Sequence, residues 1–299
     1  MQNTQTRSAF VAIVGRPNVG KSSLLNAIIG EKVSIVSDKP QTTRTKITGV
    51  LTQKETQFVF IDTPGLHKPK NKLSDYMVKQ AKESIGDVDV ALLVVEPDLK
   101  IFNAEQELIE SLIKNDMPTI AVINKIDLLK QKDEILSKIE LLSHQMDFEA
   151  IIPVSAATKE GIDILVQELH KYTFEAPHFF PDDALTDQPE RLIVAEIIRE
   201  KILKNMRDEI PHGIAVSIEQ MKERPEKEII DIQALIYCER ENHKGMIIGK
   251  SGSMLKLIAS QAREEIEDFL NIKINLQCWV KVKEDWRNKE NSIKNMGYN

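Results

Sequence analysis

Apolar residues follow two different rhythms in the two halves of the chain. In the first half, Phe10–Val14, Phe58–Ile61, Val90–Val95, Thr119–Ile123 and Ala150–Val154 are short, nearly continuous apolar runs. Runs of this kind predict parallel strands covered on both faces, and Ser23–Ile29 reads as a helix. In the second half, Ile214–Met221, Ile229–Cys238 and Ile272–Val282 predict three strands, with a helix over 191–206 ahead of them and an amphipathic helix over Met254–Leu270. The expected order there is α-β-β-α-α-β. Between the halves, Phe174–Glu190 carries three prolines and neither periodicity, so it reads as a connector. Phe179 and Phe180 within it are expected to pack against one domain. We therefore expect an α/β domain over 1–174, a mostly parallel sheet with helices on both faces. A linker over 175–190, an α+β domain over 191–287 and a polar tail over 288–299 follow, the tail disordered or ordered only by a partner.

The loop between the first strand and the first helix carries the first chemistry. Gly15, Arg16, Pro17, Asn18, Val19, Gly20, Lys21 and Ser22 match the phosphate-binding pattern G-x-x-x-x-G-K-[ST] at every fixed position. Its glycines let backbone N–H groups turn inward around phosphates, and the helix N-terminus adds partial positive charge. Lys21 is expected to reach the terminal phosphates and Ser22 to hold magnesium. Asn124, Lys125, Ile126 and Asp127 end the run Thr119–Ile123. An Asp at that place can accept both the N1–H and the exocyclic amine of guanine, whereas adenine would leave the carboxylate unpaired. Asn124 would brace the neighbouring loop and Lys125 lie along the base face. Ser155, Ala156 and Ala157 fit a loop supporting the base from the other side.

Asp62, Thr63, Pro64 and Gly65 close the apolar run Phe58–Ile61. Asp62 would bind magnesium through water, and Gly65 would donate its N–H to a γ-phosphate and hinge the loop beyond it. Pro40–Arg44 sits where a second switch loop would lend a threonine hydroxyl to magnesium, with Thr43 favoured slightly over Thr42. Taken in order, these segments resemble the translation-factor type of small GTPase. That resemblance implies attack of water on the γ-phosphate of GTP, with Mg²⁺ and Lys21 offsetting the developing charge and GDP as product. Leu66 stands where Ras has a water-orienting glutamine, so slow intrinsic hydrolysis is expected. Related GTPases with Asn at the position of Asn18 can coordinate K⁺ in place of an arginine finger.

In the second half, Ile248, Gly249, Lys250, Ser251 and Gly252 precede the long amphipathic stretch. A G-x-x-G turn with a basic residue lets the backbone of single-stranded RNA approach two helix ends. With the α-β-β-α-α-β order, this reads as an RNA-binding KH domain of the second topology. Lys281, with Trp279, Lys283, Trp286 and Arg287, could extend the RNA surface, although the two tryptophans are expected to be core anchors. The basic stretch His67–Lys72 is either a solvated loop or a contact made in one nucleotide state only.

Charge narrows the partner class. The net charge is −6, with 22 Lys+Arg against 29 Asp+Glu in residues 1–198 and 18 against 17 in 199–299. Any nucleic-acid contact must therefore be a local patch. Cys238 and Cys278 lie in apolar strand-like runs and read as small buried hydrophobes, which fits a reducing, cytoplasmic compartment. No apolar run approaches the ~18–20 residues of a membrane span.

The combination resembles the Era family of bacterial GTPases over nearly the whole chain. The matching pieces are DTPGLHKPK (62–70), PHGIAV (211–216), HKGMIIGKSG (243–252) and LQCWVKVKEDWR (276–287). The resemblance implies binding near the 3′ end of 16S rRNA in the 30S subunit, coupled to GTP, and release once the subunit has matured. Peripheral inner-membrane association belongs to the family, and nothing in the sequence shows it. We expect a monomer. The rival reading is a GTPase of tRNA modification or protein translocation with a C-terminal domain that does not bind RNA.

Overall fold

The computed structural model describes residues 5–39, 42–65, 71–83, 88–131, 133–206, 213–296 and 298, in two compact units that divide between Asp187 and Gln188. Residues 37–39, 42 and 71–74 group with the second unit. The first unit contains β1 (Arg7–Val14), α1 (Lys21–Ile29), β2 (Ile47–Gln53), β3 (Thr56–Asp62) and most of α2 (Lys72–Glu83). It continues through β4 (Val90–Val95), α3 (Asn103–Lys114), β5 (Thr119–Ile123), α4 (Asp133–Ser143), β6 (Ala150–Pro153), α5 (Ile162–Leu169) and β7 (Phe174–Glu175).

The sheet order is β2-β3-β1-β4-β5-β6, parallel throughout except for β2 against β3, and β7 adds antiparallel to β1. β4 shows why the sheet is covered on both sides. Val90, Leu92 and Val94 join a core with α1 and α5, while Ala91, Leu93 and Val95 join a second core with α3 and α4. Successive strand residues face opposite ways, so a strand between two helical layers must be apolar at every position. Strand carboxyl ends converge where β1, β3, β4, β5 and β6 deliver their loops, the usual ligand position in open α/β sheets.

The connector is tied to the first unit. β7 pairs with the start of β1, the Phe179 ring lies 4.8 Å from that of Phe10, and Phe180 exchanges hydrogen bonds with the Gln57 amide. Val50 N–H donates to Leu185 O at 2.8 Å, and Thr186 Oγ1 to Thr48 O at 2.6 Å.

The second unit runs α6 (Glu190–Asn205), β8 (Ala215–Arg224), β9 (Ile229–Cys238), α7 (Glu241–Ile248), α8 (Ser253–Leu270), β10 (Lys273–Val282) and α9 (Glu290–Asn295). Its sheet order is β10-β9-β8, with β9 parallel to β10 and antiparallel to β8. Residues alternate buried and half-buried along the whole of β9, and α8 packs Ile258, Ala262 and Ile266 on the same core. The segment read as a polar tail carries α9 and buries Ile293, Met296 and Tyr298. Trp286 is fully buried as expected, but Trp279 is 47 % exposed, which corrects its reading as a core anchor. Ile274, Leu276, Cys278, Val280 and Val282 occupy the core-facing side of β10, so strand alternation turns Trp279 and Lys281 to the other face.

Candidate nucleotide and RNA sites

The phosphate loop joins β1 to α1. Gly20, at φ +95°, caps α1, and a Cβ there would lie 2.3 Å from Asn124 Nδ2, so only glycine lets the phosphate loop meet the loop after β5. Lys21 is buried, and its Nζ donates to the carbonyls of Gly15 and Arg16, each at 3.1 Å. Burial lowers its pKa to about 8, against the opposing pull of Asp62. The ammonium is thus held at the loop mouth by backbone carbonyls, a geometry that phosphate oxygens can take over.

Ser22, Thr43 and Asp62 converge. Ser22 Oγ lies 2.6 Å from Asp62 Oδ2 and 2.8 Å from Thr43 Oγ1. The Thr42 hydroxyl instead donates to Lys39 O at 2.6 Å, which places Thr43 and not Thr42 at the cluster. Asp62 is fully buried, burial raises its pKa against Lys21 and the Ser22 and Ser34 hydroxyls, and its buried Oδ1 has no hydrogen-bond partner among the described residues. An all-oxygen set with one buried, unsatisfied carboxylate oxygen suits magnesium, a hard cation. Thr63 Oγ1 donates to Ile13 O at 3.0 Å, and Pro64 leads into Gly65. A Cβ on Gly65 would meet Pro17 N at 2.7 Å, so the glycine lets this loop close on the phosphate loop. Leu66, His67–Lys70, Pro40 and Gln41 lie outside the described residues.

The residues expected to meet the base gather from two strand ends. Asp127 Oδ1 accepts from Ser155 Oγ at 2.6 Å, which aims an exposed carboxylate. Asn124 Nδ2 donates to Val19 O at 2.9 Å, and its Oδ1 accepts Ala156 N–H at 3.0 Å, joining three loops. Lys125 Nζ donates to Asn18 O at 2.6 Å, next to exposed Asn18 at φ +67°. Ile126 begins the short turn that presents Asp127, and Ala157 follows in the supporting loop. Sequence reasoning missed the acidic groups around Arg16, namely Glu96, Asp98 and Glu105. Charged residues after a strand or on a helix ordinarily read as solvated, so no linear signal marked them.

The Lys21 value carries a pH prediction. Bound phosphates would hold the lysine protonated, while burial would make the free protein lose that proton above about pH 8. Binding then takes up a proton, and affinity falls as pH rises. The Kd for a fluorescent GTP analogue should rise about tenfold between pH 7 and pH 9, with proton uptake measurable by calorimetry in two buffers. A flat profile would show that Lys21 does not titrate in this range.

In the second unit, Gly249 at φ +72° and Gly252 at φ +79° flank exposed Lys250 and Ser251 at φ +52°, in the turn between α7 and α8. A Cβ on Gly249 would lie 2.7 Å from the Met254 Cβ. Ile248 is half-buried at the end of α7, and Lys281 stands on the face of the sheet away from α7 and α8.

Residues 10–125 match the family described as 50S ribosome-binding GTPase, and residues 209–287 match the KH domain. GTPase Era of Clostridioides difficile is 54 % identical over 98 % of this chain and 99 % of its own length. GTPase Era of Ruminiclostridium cellulolyticum is 52 % identical over 98 % and 97 %. A variant of Aquifex aeolicus Era bound to GDP and AlF4⁻ superposes with a TM-score of 0.94 at 39 % identity, covering 98 % of this chain and 99 % of that one. Era in complex with MgGDPNP and nucleotides 1506–1542 of 16S ribosomal RNA gives the same TM-score, identity and coverage. A GTP-binding α/β unit, a KH unit and this likeness from end to end leave one assignment: the chain belongs to the family of Era GTPases.

Proposed function

We propose that the chain is a slow GTP-hydrolysing switch that binds the 3′ region of small-subunit rRNA through its KH unit and acts in assembly of the 30S subunit. The observation that carries the nucleotide half is the convergence of Ser22, Thr43 and Asp62 beside Lys21. Asp127, held by Ser155, would select guanine. Lys21 and the loop N–H groups would hold the β- and γ-phosphates, and Gly65 N–H would meet the γ-phosphate as water attacks in line. Magnesium, when bound by Ser22, Thr43 and Asp62, supplies charge neutralisation to the phosphates.

The RNA half is supported by the exposed Lys250 between two positive-φ glycines and by the relative solved with 16S nucleotides. We assign about four nucleotides of single-stranded RNA to the surface next to Gly249–Gly252. Departure of the γ-phosphate would release the loop beyond Gly65 and with it the grip on RNA. The test is crosslinking to total cellular RNA in GTP-analogue and GDP states. Enrichment at the 16S 3′ end with the analogue is expected, and Lys250→Ala should reduce it. Even labelling, or no dependence on nucleotide, would remove the ribosomal assignment.

K⁺ held through Asn18 is the proposed aid to turnover. Hydrolysis in KCl should exceed that in NaCl, and equal rates would exclude it. Among the described residues no helix is long and apolar enough to cross a membrane. The proposal places the protein in the cytoplasm as a monomer, with any inner-membrane contact peripheral.

A further inference from the structure

Glu96 directly follows β4 and sits between the two nucleotide-binding loops. Its Oε1 lies 2.5 Å from Lys125 Nζ in the guanine loop, and its Oε2 pairs with Arg16 Nη2 in the phosphate loop. Arg16 is held in turn. Its Nε lies 2.9 Å from the Glu105 Oε1, a side chain with no exposure, and its guanidinium is 4.3 Å from the Phe102 ring centroid. Asp98 reaches Arg16 and buried Lys138, each at 3.4 Å. Three cations thus meet three carboxylates, and the Arg16 guanidinium is engaged by Glu96, Asp98, Glu105 and the Phe102 ring. Burial would raise the Glu96 pKa, but hydrogen bonding to Lys125 and the charge of Arg16 outweigh it and hold the carboxylate ionised.

We propose that Glu96 is a positioning residue for the guanine nucleotide. One carboxylate clamps the phosphate loop at Arg16 and the guanine loop at Lys125, so the two loops hold the nucleotide as one body. Lys125 donates to both Asn18 O and Glu96, which leaves its stem in one place, where it can lie along the purine face. A glutamine at position 96 keeps the size but turns an NH₂ group toward one of the two cations, and that arm opens.

The inference rests on the guanine-nucleotide reading of the site. The test measures dissociation of fluorescent GDP and GTP analogues, with KM and kcat, for the unaltered chain, Glu96→Gln, Arg16→Gln and the double variant. Loss of a hydrogen bond between charged groups predicts dissociation about tenfold faster for Glu96→Gln. KM should rise in step while kcat stays within about twofold, because the clamp holds the ground state and the transition state alike. The double variant should be no faster than Glu96→Gln alone, since both substitutions break one clamp. Inosine diphosphate, which lacks the amine read by Asp127, should be released faster by the same factor as GDP. Should Glu96→Gln not fold, as judged by circular dichroism, Arg16→Gln carries the same expectation through the other arm. Unchanged dissociation, a fall in kcat at constant KM, or additive effects in the double variant would overturn the clamp. If the unaltered chain bound no GDP, the nucleotide reading itself would fail.

Discussion

Asp127→Asn should lower affinity for GTP by about 10²–10³-fold and create affinity for XTP. On the proposed reading the carboxylate would accept two hydrogen bonds from guanine, and Ser155 Oγ, 2.6 Å away, fixes its direction. Two bonds to a charged group are together worth about 3–4 kcal/mol, and each 1.4 kcal/mol is a factor of ten. An asparagine keeps the shape and can keep the Ser155 contact, but its amide N–H₂ opposes the guanine amine. Xanthine carries a carbonyl at that position and accepts from the same N–H₂ group. Equilibrium titration and turnover with GTP and XTP check both halves. Affinity for GTP within threefold of the unaltered chain would mean that the base is read elsewhere.

Trp286→Ala should destabilise the second unit by about 3–5 kcal/mol, the cost of emptying a large buried aromatic site. The ring has no exposed area, stacks on Tyr298 at 6.1 Å between centroids, and donates from Nε1 to Gly213 O at 2.9 Å. Trp286→Phe should cost less, about 1–3 kcal/mol, because packing is largely kept while a buried carbonyl loses its donor. The chain has two tryptophans, both in the second unit, so in Trp286→Ala fluorescence on urea unfolding reports that unit through Trp279 alone. An unchanged midpoint would show that the segment carrying α9 adds nothing to the second unit. Guanine-nucleotide affinity, a property of the first unit, is the control.

Much of this was legible because each piece is written in contiguous residues. The phosphate loop is a backbone conformation specified by its own glycines, and its context of strand and helix lies within the same 30 residues. β4, β5 and β9 were legible because burial on two faces, or on one, imposes a residue period. β2 was not anticipated. ITGVLTQ mixes polar and apolar positions, and its turn to β3 uses Lys54 at φ +55° rather than a glycine that would have marked a hairpin. Trp279 and Trp286 looked alike in the sequence, yet strand alternation exposed one, and packing against Tyr298 buried the other.

The sequence alone indicated the residues of the nucleotide site, the two-unit plan, β1, β3, β4, β5, β6 and α1 of the first unit and the α-β-β-α-α-β order of the second, since hydrogen-bonding turns and burial periods are local properties of the chain. Tertiary structure decided which threonine joins Ser22 and Asp62, that Ser155 aims Asp127, and that Arg16 is neutralised by Glu96, Asp98 and Glu105. Those outcomes depend on closing charges and filling donors among groups 20 to 90 residues apart, and only the packed sheet brings their atoms within bonding distance.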